Sequence, residues 1–157
     1  MRTDHTADET LGTAARNKQT VRRLYEAYIN GARRELLPEL VGADYAGPQG
    51  ERGPDGFAAA IGALRGALPD IRFTLEELVA EGDRVAVRWT WTGTHTGPLR
   101  GIPASHRRVT DAGIAIYTLR DGRVVSAALQ TDRLGVLQQI GALPADLVPG
   151  AAPGGAA

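Results

Sequence analysis

Across residues 14–30 the apolar positions Val21, Leu24, Tyr25 and Tyr28 recur at i, i+3, i+4 and i+7, the repeat of one helix face, and Asn30-Gly31 marks where that helix stops. A second, short helix is predicted around Leu36, Leu37, Leu40 and Val41, ahead of Gly42. A third begins at Pro54, aligns Phe57, Ile61, Leu64 and Leu68, and ends at Pro69. Beyond Pro69 the period falls to two. Phe73 and Leu75 alternate with polar residues, Glu81-Gly82-Asp83 turns the chain, and Val85, Val87, Trp89 and Trp91 share the face opposite Arg88, Thr90 and Thr92. Two further strands, over about 107–119 and 123–131, meet at Asp121-Gly122, a strong hairpin signal. Residues 133–140 return to helix, with Leu134 and Leu137 on one face.

Helices first, then a four-strand antiparallel meander, then a closing helix make an α+β arrangement in which helices cover one face of a curved sheet. A curved sheet capped in this way leaves a conical space between its layers, a common place for a small molecule. At 157 residues the chain suits one domain, able to bury roughly 68–70% of its unfolded surface. That domain is expected over 14–143, between a polar, aperiodic and disordered segment at 1–13 and a flexible Pro/Gly/Ala-rich tail at 144–157. Ile114, Ile116 and Ala112 fall on the sheet face the helices leave bare, which predicts a homodimer.

Charge and composition narrow the partners. Lysine and arginine number 18 against 18 acidic residues, with no basic run, so neither nucleic acid nor an anionic membrane is expected. The absence of cysteine rules out disulfides, thiolate metal sites and cysteine nucleophiles, and suits the cytoplasm. No stretch is long and apolar enough to span a membrane, and the first dozen residues lack the apolar core of a signal peptide. His5, His95 and His106 are too scattered for a metal site, and no nucleophile elbow, phosphate loop or dinucleotide fingerprint occurs.

Four pieces of the chain, taken in order and spacing, carry a family likeness. They are the opening helix with Tyr28, GPDGF at 53–57, GTHTGPLRGIPASHRRV at 93–109, and LGVLQQIG at 134–141. Together they resemble the SnoaL-like polyketide cyclases, small NTF2-like cones that enclose one hydrophobic ligand. The resemblance implies a cofactor-independent enzyme of polyketide or related antibiotic metabolism, acting on a hydrophobic small molecule. In those cyclases an aspartate on the last strand, assisted by a histidine on the strand before, handles the proton of an intramolecular aldol closure. Counting back from Gly135 puts the aspartate position on Leu129, and counting back from the Asp121-Gly122 turn puts the histidine position on Ala115; Ala127 lies two residues before Leu129. Apolar side chains transfer no protons, so this chain is expected to close its ring mainly by holding the substrate's conformation. The alternatives are an epoxide-opening or hydroxylation-assisting member of the superfamily, and a non-catalytic binding module.

Three residues are candidates for the missing chemistry. Asp132 is the carboxylate nearest the vacated position, and either caps the final helix or turns into the cone as an acid or base. Asp111 lies at i−4 from Ala115 and shares its face; otherwise it pairs with Arg107 or Arg108 in solvent. His95, in the GTHTG loop, is placed either to transfer protons at a cavity mouth or to order its own loop. The substrate wall is assigned to Tyr28, Phe57, Trp89, Trp91, Ala115, Tyr117, Ala127 and Leu129, with ordinary core packing as the rival reading for the aromatics.

Overall fold

The computed structural model describes residues 4–144, with side chains from residue 12 onward. Helix α1 (Asp4–Arg23) starts well before the expected Ala14, because its polar early turns extend as a helix ahead of the buried stripe that Asn17 and Val21 begin. At Leu24–Asn30 the helix widens to π geometry and buries Leu24, Tyr25, Tyr28 and Ile29 together. Gly31 must follow, since a Cβ there would sit 2.5 Å from the Ala27 carbonyl oxygen. The amide of Asn30 then clasps the backbone of Phe73, donating to its carbonyl at 2.8 Å and accepting from its N–H at 2.9 Å. Each such bond is worth about 0.5–1.5 kcal/mol net, and together they pin the helix end to the first residues of the sheet's outer strand.

The second helix is shorter than the apolar pattern suggested. A 3₁₀ turn (Arg34–Leu36) runs into a single α turn, α2 (Leu37–Leu40), and Val41 then opens strand β1 (Val41–Ala46). Helix α3 (Gly53–Ala67) follows, then β2 (Arg72–Glu81), β3 (Arg84–Thr94), β4 (Arg108–Arg120), β5 (Arg123–Thr131) and helix α4 (Arg133–Gln139). The sheet order is β1-β5-β4-β3-β2. The expected four-strand antiparallel sheet therefore gains a fifth member, β1, which pairs parallel with β5 through Val41 and Val124.

Between β2 and β5 the meander is antiparallel throughout, and its register sets which side chains face the helices. One inward rung runs Leu75, Trp89, Gly113, Thr131, and the next runs Leu78, Val87, Ala115, Leu129. Paired residues share a face, and the buried positions of β4 fall on alternate residues, as period two requires. At the β4–β5 turn Asp121 and Gly122 have φ of 51° and 73°, both positive as a type I′ hairpin demands. On the outer face Val79, Ala86, Ile116 and Ala128 line up across four strands; Val79 is 58% and Ile116 45% exposed.

Of the two residues expected on one face of α4, Leu137 packs against the core and Leu134 does not. Leu134 is exposed, while Val136 and Ile140, at i and i+4, are buried; the cap at Asp132 sets this phase. The expected flexible tail beyond Pro144, like residues 1–3, lies outside the described residues.

Candidate active site

Aromatic rings crowd the space between helices and sheet. Phe57, on α3, meets Tyr28 at 5.9 Å and Tyr45 of β1 at 5.5 Å between ring centroids; Phe73 meets Tyr25 at 5.5 Å and Trp89 at 5.1 Å. Across the cone the hydroxyls of Tyr25 and Tyr117 share a 2.8 Å hydrogen bond. Burial pushes the Tyr117 phenol up to about 12 and raises Tyr25 well above the ordinary phenol value, so both remain neutral at physiological pH. The indole Nε1–H of Trp89 is buried with no hydrogen-bond partner, although it lies near enough to the Tyr25 hydroxyl to favour its ionised form slightly. Tyr25 and Tyr45 were not singled out from the sequence; Tyr25 sits three residues from Tyr28 on the same face, which was the available signal.

The cone is only partly closed. Helix α3 packs chiefly on β1, and α4 on β4, which leaves the inward face of β5 between them half-covered. Ala127 and Leu129 pair with the buried Tyr117 and Ala115 and pack against the core, yet both keep part of their surface open. Ile61 and Leu64 of α3, and Leu137 of α4, are half-buried in the same way. An apolar wall that faces inward but stays partly wetted suits the flat side of a hydrophobic ligand. Two surface depressions, one around Lys18 and Glu77 and the other around Asn17 and Gly122, lie elsewhere and do not touch this wall.

Asp111, His95 and Asp132 occupy three different settings. Asp111 faces inward on β4 opposite Trp91 and is 8% exposed, rather than paired with Arg107 or Arg108 in solvent. Its Oδ1 accepts the N–H of Ala112 at 2.7 Å and of Asp132 at 3.1 Å. Burial raises its pKa, with those two N–H donors pulling the other way and the neighbouring Asp132 charge adding to the rise. Asp132 itself is exposed, and its Oδ1 accepts the Gly135 N–H at 2.8 Å, so it is the N-cap of α4 and does not enter the cone. Asp111 and Asp132 thus form a chain in which the first carboxylate steadies the backbone of the second.

His95 is not at an open mouth. It is fully buried, prolongs the β3–β4 pairing through backbone bonds to Arg107 and His106, and its Nδ1 accepts the Ser105 N–H at 3.2 Å beside the Ser105 hydroxyl at 3.0 Å. That arrangement places the proton on Nε2, which is buried without a partner. His95 orders the 95–107 loop in the way its rival reading held. His106 is exposed at φ 57°, in a turn.

Residues 19–140 match the SnoaL-like polyketide cyclase family. The chain belongs to that family. It is similar to the aklanonic acid methyl ester cyclase DnrD of Streptomyces peucetius, 33% identical over 129 residues that cover 77% of this chain and 88% of that protein. The nogalonic acid methyl ester cyclase of Streptomyces nogalater is 27% identical over 125 residues, covering 72% and 89%. Among solved structures, TsrD from Streptomyces laurentii superposes with a TM-score of 0.76 at 34% identity, covering 82% of this chain and 97% of that one. The NTF2-like, curved α+β architecture expected from the sequence is therefore that of its structural neighbours. Among the described residues, no helix is long and apolar enough to cross a membrane.

Proposed function

We propose that this family member closes a ring in a bound, largely planar polyketide, and that it does so chiefly by fixing the substrate's conformation. One observation carries this reading: Leu129 and Ala115 stand opposite each other on the inward face of β5 and β4, at the positions where the family resemblance puts the aspartate and its histidine. In an intramolecular aldol closure, an enol carbon bonds to a carbonyl carbon and the enol proton ends on the new alkoxide oxygen. Nothing is gained or lost overall, so a wall that brings the two carbons together supplies the main requirement. Near-attack positioning of two ends of one molecule can contribute about 7–11 kcal/mol.

The buried carboxylate of the cone, Asp111, is displaced along the strand. It precedes Ala115 by four residues, about 13 Å at strand rise, which removes it from the reacting carbons if these lie over Leu129. Its role is to hold the β5–α4 junction through the Asp132 N–H. Tyr28, Phe57, Trp89, Trp91 and Tyr117 complete the apolar enclosure, and the neutral phenols keep hydroxyls available to a substrate carbonyl.

Turnover of aklanonic acid methyl ester, the substrate named for the DnrD relative, and of the corresponding free acid tests the proposal. The wild type is expected to form a cyclised product from at least one of the two, and Asp111→Asn to retain kcat within about tenfold, because general acid–base catalysis is typically worth 10²- to 10⁴-fold. A loss of 10²-fold or more in Asp111→Asn, with folding intact by circular dichroism, would show that a side-chain proton donor is required after all.

A further inference from the structure

Arg65 is out of place. It lies on α3 at i+4 from Ile61 and i+8 from Phe57, on the stripe that packs against the core, and its Nη2 is buried without a hydrogen-bond partner. A guanidinium presents five N–H donors and cannot shed its charge, so an orphaned, desolvated donor is costly unless something arrives to accept from it. No ion pair among the described residues involves Arg65. Nor does one involve Arg34, although its neighbours Arg33 and Glu35 pair with each other at 2.9 Å.

Arg65 shares the inward stripe of α3 with Phe57, whose ring packs against Tyr28. Tyr28 is buried, with its ring against Phe57, and burial raises its pKa; Arg34 and Arg65 both lie close enough to pull it back. An orphaned guanidinium N–H and a phenolic O–H thereby flank the half-open apolar wall, where Leu64 adjoins Arg65, and the exposed Arg34 adds its charge from the solvent side. Fork-like N–H donors match the two oxygens of a carboxylate, and a phenol adds a third donor.

We propose that Arg65, with Arg34 and the Tyr28 hydroxyl, forms an anion subsite that takes a free carboxylate carried by an aromatic ligand. The proposal deepens the cyclase reading by assigning this chain a substrate with an ionised acid group, in contrast to the methyl esters named for its relatives. Arg65 would supply the paired N–H contact, and Arg34, which is exposed, the screening-sensitive part of the attraction.

Binding separates this from catalysis. Titration of the full chain with anthraquinone-2-carboxylate and with its methyl ester, at low salt, is expected to favour the acid by at least about tenfold. Arg65→Met should bring the acid down to the ester's affinity while leaving the ester within about twofold, and Arg34→Gln should erode the preference and its salt dependence. In parallel, benzoate but not benzamide should shift one arginine Nε–Hε resonance, identified as the one lost in Arg65→Met. Equal affinity for acid and ester in the wild type, or an acid preference that survives Arg65→Met, overturns the subsite, as does an unmoved resonance under benzoate. The comparison of acid with ester in the wild type stands even if a variant fails to fold. An absent ring product alongside an intact acid preference would sink the cyclase reading alone, and the reverse result would sink the subsite alone.

Discussion

Replacing Gly113 with alanine places one methyl group where the structure leaves no room. A Cβ there would lie 2.6 Å from both Cη2 and Cζ2 of Trp89 and 2.7 Å from the Gln130 carbonyl oxygen. Carbon atoms pack best at about 3.5–4.0 Å, so the indole would have to retreat by about 1 Å. The Gln130 oxygen belongs to the strand opposite Ile114 and cannot yield without disturbing the ladder. Trp89 is 3% exposed and rigid apart from two torsions, which leaves little scope for absorbing the overlap. Overpacking of this kind costs about 1–3 kcal/mol. At this chain length about 2–4 °C of melting temperature is lost per kcal/mol, so Tm is expected to fall by about 2–12 °C. Thermal melts followed by far-ultraviolet circular dichroism measure it, with near-ultraviolet signal and tryptophan fluorescence reporting the displaced ring. Gly62→Ala on α3 is the matched control, since its Cβ would meet nothing within 4 Å and alanine favours the helix by about 0.5–1 kcal/mol. A Gly113→Ala protein that melts within 1 °C (about a quarter to half a kcal/mol) of wild type, with unchanged tryptophan spectra, would refute the placement of Trp89 over β4. The floor of the proposed ligand wall would then have to be redrawn.

Two further outcomes are expected. Because burial holds the folded-state pKa of Asp111 above the ordinary aspartate value of 3.8, its favourable contribution is complete below that value and is lost as pH rises through the folded pKa. Urea melts across the acid-to-neutral range should therefore show Asp111→Asn gaining stability relative to wild type as pH rises, by about 1.4 kcal/mol for each pKa unit of displacement; a relative loss with rising pH would contradict the assigned environment. The outer stripe of Val79, Ala86, Ile116 and Ala128 is expected to bury itself against a second copy, so sedimentation should find a dimer at micromolar concentration and a monomer for Ile116→Glu. A monomeric wild type would remove that interface.

What was legible in the sequence follows from which interactions are local. The β3 face of Val85, Val87, Trp89 and Trp91 and the Asp121-Gly122 hairpin depend on neighbours a few residues away, and both form as their pattern implied. Strand β1 could not be seen in that way. Its partner is Val124, its burial runs two in and two out rather than alternating, and its first residue completes the apolar spacing of a helix. On α4 the pattern found Leu137 but not Val136, because the phase of a seven-residue helix is set by its cap, and Leu134 and Val136 are equally apolar on paper. For the site, period two tied the direction of Asp111 to that of Ala115 without saying which face was inward, and the fold buries both. The Tyr25–Tyr117 bond spans 92 residues and needs the folded chain. Arg65 did leave a trace, a cation on the stripe of Phe57, Ile61 and Leu64, and the significance of that position emerged only with its missing partner.

The parallel pairing of β1 with β5 also governs the order in which the molecule can be built. The edge that β1 occupies does not exist until Arg123–Thr131 has left the ribosome, so a nascent chain carries its early helices and a bare strand while it waits for β5. Truncations that stop short of Arg123 are thus left with the inner strand β4 as an unpaired edge, open to a neighbour's strand in its stead.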